Sequence, residues 1–96
     1  MVERTLLVRS RLGLHARAAA KLVRLASGFD SKVELRRVDS GASADAKSIL
    51  SVLMLAASRG TELHACAEGT DEEAAISAID RLFDDGFGEL EPGLPR

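Results

Sequence analysis

Hydrophobic and polar residues alternate in three short segments, residues 3–9, 32–38 and 61–67. This two-residue period is typical of strands that bury one face. The stretch "VDSGAS" at positions 38–43 has the composition of a turn, so it predicts a hairpin leading into a fourth, short strand near residues 42–45. The pattern therefore predicts four strands.

The first helix is predicted over Ala16–Ser27, where the period of the pattern changes. Arg17, Lys21 and Arg24 follow one another at i, i+4 and i+7, which leaves the opposite face apolar and suited to a core. Gly28 comes directly after this segment and is expected to end the helix in a left-handed conformation. The expected core-facing residues are Ala19, Ala20, Leu22, Val23 and Ala26.

Two further helices are predicted in the second half of the chain. A short one is expected over residues 46–53, with Asp45 as its N-cap. The last helix begins with a capping box formed by Thr70 and Glu73 and ends near Asp85. Its expected buried stripe consists of Ala75, Ile79, Leu82 and Phe83.

The order of these elements, βαββαβα, predicts an α+β fold. We expect an open-faced two-layer sandwich, in which a four-stranded antiparallel sheet carries three helices on one face. A single domain is expected over residues 1–88. Residues 89–96 contain both prolines of the chain and are expected to form a flexible C-terminal tail.

The composition is that of a soluble globular protein, since 46% of the 96 residues are hydrophobic and 29% are charged. Glu3 and Arg4 interrupt the start of the chain, and no apolar stretch is long enough to cross a bilayer. Neither a signal peptide nor membrane insertion is therefore expected. Cys66 is the only cysteine, which suits a reducing compartment. We expect a cytoplasmic location and a monomeric state.

Charge is distributed unevenly along the chain, although the net charge is only −2. Residues 1–37 contain nine Lys and Arg against three Asp and Glu, whereas residues 38–96 contain four against twelve. A basic patch attracts acidic protein surfaces or nucleic acid. The chain has three Phe but no Trp or Tyr, so it lacks the stacking surfaces of single-strand binders. No nucleic-acid partner is expected.

The strongest candidate for chemistry is His15, in the stretch "GLHARAAAKLV", directly before the first predicted helix. The start of a helix has unpaired N–H groups and the positive end of the helix dipole, and both favour a bound anion. A histidine can shuttle protons, bind a metal or act as a nucleophile. A purely structural role is the fourth alternative.

The neighbours of His15 favour the nucleophile. A proton shuttle needs a nucleophile or carboxylate close by, and the local sequence has neither. Metal binding would need further ligands, but only the second histidine, His64, the single cysteine and scattered acids are present. Arg9, Arg11 and Arg17 would repel a cation and attract an anion such as a phosphorylated imidazole. Neither a metal site nor a hydrolase is therefore expected.

Two stretches of the chain resemble the signatures of one family. "GLHARAAAKLV" is similar to the active-site signature of HPr, the histidine-containing phosphocarrier of the bacterial phosphotransferase system. "AKSILSVLML" resembles the second signature of that family, around its regulatory serine. The element order, the capped last helix and the separation of the two motifs also match, so the likeness covers roughly residues 2–88.

The resemblance implies a phosphorylated relay intermediate that needs no cofactor and is not a turnover enzyme. Its phosphoryl group would come from enzyme I and pass to an EIIA-type acceptor of a sugar or nitrogen phosphotransferase system. A serine kinase or phosphorylase is a further implied partner. The alternative is a regulatory binding module of the same fold, acting through Ser48 and the adjacent apolar helix patch. The presence of His15 with Arg17 argues against that alternative.

Carried over residue by residue, the resemblance implies that Nδ1 of His15 takes the phosphoryl group. Arg17 would neutralise this group, and the backbone N–H groups of Ala16 and Arg17 would face its oxygens. Ser48 matches the serine that a regulatory kinase phosphorylates. The implied partner-docking residues are Ile49, Leu50, Leu53, Lys21 and Arg24. For the three apolar ones, a core position in a short helix is the alternative.

The chain departs from the family pattern in three places. Ala18 stands where the family usually has proline, but alanine is a strong helix former, so the helix is expected to persist. Leu12 stands where the family commonly has a small polar residue that supports the active-site loop by hydrogen bonding, which leucine cannot do. The hairpin near Gly41 is slightly longer than usual. The support of the active-site loop is therefore the question that the sequence leaves open.

Overall fold

The computed structural model describes residues 1–88 of the chain. The strands are β1 (Val2–Leu7), β2 (Lys32–Arg37), β3 (Ser43–Asp45) and β4 (Glu62–Glu68). The helices are α1 (Ala16–Ser27), α2 (Ile49–Met54) and α3 (Glu72–Asp84), followed by a 3-10 turn at Gly86–Gly88. This order confirms the predicted α+β architecture. The tail predicted for residues 89–96 lies outside the described residues.

The four strands form one antiparallel sheet in the order β1-β4-β2-β3. Its register pairs Leu6 with Leu63 and Leu35 with Ala65, and all four side chains are buried. The residues between them along the strands are exposed or half-buried, so the helices cover one face only. The expected open-faced two-layer sandwich is therefore confirmed.

Strand β1 ends at Leu7, two residues before the end of the predicted segment 3–9. Beyond this point the backbone bonds to the loop before β4 instead of to the strand itself. The Val8 amide donates to the Thr61 carbonyl at 3.0 Å, and the Gly60 amide donates to the Val8 carbonyl at 2.8 Å. These bonds carry the chain out of the sheet and into the loop that leads to α1.

Helix α1 has the predicted bounds, but its C-terminal end differs from the prediction. Gly28 has φ −78° and is therefore right-handed, so the expected left-handed stop is wrong. The amides of Gly28 and Phe29 donate to the carbonyls of Leu25 and Ala26, both at 3.1 Å. These i to i−3 bonds tighten the last turn and satisfy the terminal carbonyls without a left-handed residue.

The start of α2 was predicted wrongly. Asp45 belongs to β3, and its Oδ1 accepts from the amide of Lys47 in the turn that follows. The N-cap of α2 is Ser48, whose Oγ accepts from the Ser51 amide at 3.4 Å. The helix therefore begins at Ile49 and not near residue 46, because Asp45 is paired with β2 and a turn follows it, in which the Ser48 amide donates to the Asp45 carbonyl at 3.0 Å.

The capping box predicted for α3 is also wrong in its residues. The N-cap is Asp71, which makes no side-chain cap bond, and not Thr70. The residue whose side chain bonds back to the backbone before the helix is Glu72 and not Glu73. Its Oε1 accepts from the Gly69 amide at 3.0 Å. Acidic residues still occupy the first turn, where the helix dipole favours them.

Asp71 is used to hold the loop after α1 against the start of α3. Its carboxylate accepts hydrogen bonds from the Ser31 hydroxyl and from the amides of Asp30 and Ser31. These bonds lower the pKa of the Asp71 carboxyl. A lowered pKa in the folded state adds stability above the unfolded pKa, and this contribution is lost as the pH falls through the folded value.

The core lies between the sheet and the helices. In α3, Ala75, Ile79 and Phe83 are buried as predicted, Ile76 is buried as well, and Leu82 is only partly buried. In α1 the structure buries Ala18, Ala19, Leu22 and Ala26, whereas Ala20 and Val23 are half-buried. The apolar face of α1 is therefore rotated slightly from the predicted one, toward Ala18.

The turn after α3 is fixed to α1. The rings of Phe83 and Phe87 meet edge to face, with their centroids 4.9 Å apart. Phe87 is fully buried and has φ 58°, and its carbonyl accepts from Nζ of Lys21 at 2.6 Å. Lys21 therefore joins the end of α3 to the middle of α1. Within residues 1–88, no helix has both the length and the apolar character that a membrane span requires.

Proline at position 18 tests the description of the first turn of α1. Ala18 is the third residue of this helix, where amides have no intrahelical acceptor, so proline removes no helix hydrogen bond there. We expect Ala18→Pro to raise the free energy of unfolding by about 0.4–1 kcal/mol, because it restricts the unfolded chain. Ala20→Pro is the matched control, and its lost helix bond is expected to lower that free energy by about 3 kcal/mol. Urea denaturation measures both changes, and an Ala18→Pro variant no more stable than the parent contradicts the prediction.

Candidate functional site

The loop before α1 is a tight turn closed by two hydrogen bonds. The Gly13 amide donates to the Ser10 carbonyl at 3.0 Å, and the buried Ser10 hydroxyl donates to the Gly13 carbonyl at 2.8 Å. Gly13 has φ 69°, a left-handed conformation that glycine adopts readily. Directly after the turn, the side chain of Leu14 is buried and its amide donates to the Ala57 carbonyl at 2.8 Å. These contacts fix the backbone that leads into His15.

Gly13 is needed for a second reason, which is close packing against the loop between α2 and β4. A Cβ atom at this position would lie 2.6 Å from the Ala57 carbonyl oxygen and 2.9 Å from Cα of Ser58. Both neighbours are backbone atoms, so neither can move away as a flexible side chain would. The two loops can therefore touch only where position 13 has no side chain.

His15 is the N-cap of α1. Its backbone is extended, with φ −77° and ψ −179°, and its Nδ1 atom accepts from the amide of Arg17 at 3.3 Å. Its carbonyl accepts from the Ala19 amide at 2.8 Å as the first bond of the helix. The side chain is half-buried. The lone pair of Nδ1 is therefore directed at the amides that begin α1.

The charge around this nitrogen is positive. Ala16 and Arg17 are both exposed in the first turn, where the amides carry the positive end of the helix dipole. Over residues 1–88, the Arg17 guanidinium makes no ion pair and no hydrogen bond. Arg9, by contrast, points to Asp84, with 3.6 Å between its Nη2 and Oδ1 of the carboxylate. Arg17 is therefore a neighbouring cation that is available to an anion on His15.

The second histidine of the chain does not belong to this site. His64 lies on the open face of the sheet, where its Nε2 is 2.8 Å from Oε1 of Glu3. Within the described part of the chain, no three His, Cys, Asp or Glu side chains are arranged to hold a metal ion. A nucleophilic nitrogen beside amides and a guanidinium can take up and hold an anionic group such as a phosphoryl group.

The second sequence motif forms the start of α2. Ser48 is half-buried and its Oγ caps the helix, as described above. Ile49 and Leu50 are exposed, with 43% and 66% of their surface accessible. Leu53 is partly buried and packs against the core. Two of the three apolar docking candidates are therefore surface residues, and the third is largely a structural one.

Comparisons with known proteins show which family the chain belongs to. The family model described as "PTS HPr component phosphorylation site" matches residues 2–85. The chain belongs to the PTS HPr family. It is 49% identical over 89 residues to phosphocarrier protein HPr of Treponema pallidum (strain Nichols), covering 93% of this chain and 99% of that protein.

A second relative and a solved structure extend the comparison. Phosphocarrier protein NPr of Escherichia coli (strain K12) is 42% identical over 88 residues, covering 92% of this chain and 97% of its own. The crystal structure of HPr-C-His from Thermoanaerobacter tengcongensis superimposes with a TM-score of 0.89 at 38% identity, covering 95% of this chain and all of that one. The sequence comparisons and the structure comparison therefore indicate the same family and the same fold.

The two basic docking candidates on α1 have different environments. Lys21 is half-buried and donates to the Phe87 carbonyl, so its charge is already used within the protein. Arg24 is exposed in the last turn of the helix. Leu12 and Met54 are also exposed apolar residues, 70% and 76% accessible, and neither was among the predicted docking residues. Met54 was detectable, because it follows Leu50 by four positions and so shares its side of α2.

The departure from the family pattern at Leu12 does not leave the loop without support. The Ser10 hydroxyl holds the turn through the Gly13 carbonyl, and the Leu14 amide joins it to Ala57. Ser10 was not among the predicted site residues. The spacing of a serine three positions before a glycine was a usable signal, because serine side chains often bond to backbone groups in turns.

Alanine at position 13 tests the contact between the two loops, with Gly41 as its matched control. Both glycines have positive φ, 69° and 79°, but a Cβ on Gly41 meets nothing within 4 Å. We expect Gly41→Ala to lower the free energy of unfolding by about 1–2 kcal/mol, the cost of the left-handed backbone alone. Gly13→Ala is expected to cost about 1–3 kcal/mol more, because its Cβ overlaps Ala57 and Ser58. Equal losses in urea denaturation would show that the loops are not in contact.

Proposed function

We propose that this chain is a phosphocarrier of the bacterial phosphotransferase system, phosphorylated on Nδ1 of His15. The proposal depends on one observation, the hydrogen bond from the Arg17 amide to that nitrogen. This bond places the lone pair of Nδ1 at the start of α1, where a phosphoryl group would meet the helix amides. Membership of the HPr family supports the same role.

The transfer needs no group beyond the two reacting histidines. The lone pair of Nδ1 of His15 attacks the phosphorus atom of a phosphohistidine on enzyme I. A new N–P bond forms on His15 while the N–P bond of the donor breaks, and its electron pair returns to the donor imidazole. The next transfer repeats this displacement, with a group on an EIIA-type acceptor as the attacking nucleophile.

The protein stabilises the phosphoryl group with the groups that surround Nδ1. The Arg17 amide, which bonds to the ring nitrogen in the free protein, can donate to a phosphoryl oxygen once that nitrogen is substituted. The Ala16 amide, at the first position of the helix, and the Arg17 guanidinium complete the set. Because Arg17 is exposed, it can release the group as readily as it binds it.

An exposed site suits a relay better than it suits a catalyst. A buried, bidentate clamp would stabilise the phosphorylated state so strongly that onward transfer would be slow. His15 is instead half-buried, and the first turn of α1 around it is exposed. The protein therefore acts as a phosphorylated intermediate consumed by its acceptor and not as a turnover enzyme.

The surface around His15 provides the docking site for both partners, which meet a monomeric carrier in the cytoplasm. Ile49 and Leu50 supply exposed apolar area, and Arg17 and Arg24 supply positive charge. We expect the facing surfaces of enzyme I and of the acceptor to be acidic and apolar, because charge complementarity raises the rate of encounter. Lys21 and Leu53 support this surface from below through their contacts with Phe87 and the core.

Ser48 is the site of control in this proposal. A phosphate on its hydroxyl adds about −1.5 to −2 charges at the N-terminal end of α2, where the helix dipole tolerates them. The same charge lies beside Ile49 and Leu50, so it would repel an acidic partner from the docking surface. Phosphorylation of Ser48 would therefore keep the fold and weaken the binding of an acidic partner.

Removal of the nucleophile is the direct test of the phosphocarrier role. Incubation of the protein with phosphoenolpyruvate and enzyme I is expected to add one phosphate that is lost in acid, because N–P bonds are acid-labile. His15→Ala is expected to abolish this modification, whereas the control His64→Ala keeps it. Intact-mass measurement before and after acid treatment follows both. An acid-stable adduct, or phosphorylation of His15→Ala, contradicts the proposal.

A negative charge at position 48 tests the control of docking. We expect Ser48→Glu to raise the Kd for enzyme I by about tenfold, equivalent to roughly 1.4 kcal/mol, through repulsion between like charges. Ser77→Glu makes the same charge change on the exposed side of α3 and is expected to leave the Kd unchanged. Isothermal titration calorimetry measures both. Equal Kd values for the two variants would remove Ser48 from the docking surface.

A further inference from the structure

The loop that carries the Ala57 carbonyl is held by an arginine at the end of β2, on the face of the sheet that the helices cover. Arg37 is the last residue of β2, and its Nη1 atom donates to the Leu55 carbonyl at 2.9 Å and to the Ala56 carbonyl at 3.1 Å. Both carbonyls lie at the C-terminal end of α2, where no amide of the helix donates to them. A cation at this end also interacts favourably with the helix dipole.

The guanidinium of Arg37 is oriented by a carboxylate in the neighbouring hairpin. Its Nε donates to Oδ1 of Asp39 at 2.9 Å, and its Nη2 donates to Oδ2 at 2.8 Å. This side-on pair lowers the pKa of the Asp39 carboxyl to about 2. The Arg37 side chain is only 22% exposed, whereas that of Asp39 is 61% exposed. Asp39 therefore binds the Nε and Nη2 atoms of the guanidinium, and the Nη1 atom bonds to the carbonyls at the end of α2.

The backbone between these bonds and His15 is strained and short. Ala56 has φ 51°, a left-handed conformation that costs a non-glycine residue about 1–2 kcal/mol. The next residue, Ala57, is buried and provides the carbonyl that accepts from the Leu14 amide. His15 follows Leu14 directly. A single line of contacts thus runs from Asp39 through Arg37 and the Ala56–Ala57 backbone to the nucleophile.

We propose that Arg37 is a positioning residue for phosphoryl transfer at His15. It touches neither the imidazole nor the phosphoryl group, and it acts by fixing the Ala57 carbonyl that anchors Leu14. This inference rests on the proposed phosphocarrier function. It also helps to explain how a chain with Leu12 keeps its active-site loop in place, because the second loop adds to the support that Ser10 gives.

The bonding pattern requires arginine and not only a positive charge. Four hydrogen bonds leave the guanidinium in one plane, two to Asp39 and two to the end of α2. A lysine ammonium at the same position keeps the charge but cannot make this planar, two-sided arrangement. Position matters for the chemistry, since a displacement of about 1 Å in reacting groups can cost up to about 100-fold in rate.

The test compares two adjacent arginines. Arg37→Met removes the bonds described above, whereas Arg36→Met removes an exposed arginine on the open face of the same strand. For Arg37→Met we expect kcat of phosphoryl transfer from enzyme I to fall about tenfold with KM changed less than about twofold, the mark of lost positioning and not of lost docking. Arg36→Met is expected to keep both constants.

A second readout does not depend on phosphorylation. Hydrogen exchange followed by NMR reports how strongly the Leu14 amide is protected. In the folded protein this amide donates a hydrogen bond to the Ala57 carbonyl. We expect Arg37→Met to speed this exchange by about tenfold or more, through local opening of the loop, while amides in β4 keep their rates. Unchanged exchange at Leu14 would overturn the proposal.

Further variants separate the possible failures. Arg37→Lys is expected to lose kcat like Arg37→Met, and full activity in this variant would overturn the proposal, because charge alone would then suffice. If Arg37→Met does not fold, Asp39→Asn carries the test, with an expected two- to fivefold loss of kcat, roughly the worth of an exposed ion pair. A rise in KM alone would make Arg37 a docking residue.

A parent protein that takes no phosphate refutes the proposed function itself, whereas equal kcat in parent and Arg37→Met refutes only the role of Arg37.

Discussion

The hydrogen bond from the Leu14 amide to the Ala57 carbonyl joins two loops that lie far apart in the chain. His15 follows Leu14 directly, so this bond sets where α1 begins and where Nδ1 points. The contact exists only because Gly13 has no side chain to separate the two backbones. In the proposed function, the chemistry at His15 therefore depends on backbone packing as much as on the functional groups that would touch the phosphoryl group.

The basic residues of the protein divide into those that hold the scaffold and those left for a ligand. Arg9 reaches Asp84, Lys21 bonds to the Phe87 carbonyl, and Arg37 bridges the hairpin and α2. Within residues 1–88, Arg17 makes no such contact. A cation that must capture an anion and release it works best without a competing partner, because no existing bond has to break first.

Much of the fold was predictable from the sequence because local patterns agree with the final packing. The bounds of α1 and the buried face of β4 follow from periodicity alone. The N-caps of α2 and α3 were predicted wrongly, because Asp45 is held in β3 and Asp71 bonds to a loop instead of to its own helix. The sequence motif identified His15, but the contact of Gly13 with the second loop depends on topology, and no local pattern reports it.

The position of the phosphoryl group on the ring of His15 is the central claim, and NMR of the phosphorylated, ¹⁵N-labelled protein measures it directly. Long-range correlations between ring protons and ring nitrogens identify the substituted atom, while amide spectra report its neighbours. We expect substitution at Nδ1 together with a large shift of the Arg17 amide proton, because in the free protein this amide donates to that atom. Substitution at Nε2, or an Arg17 amide that does not respond, would contradict it.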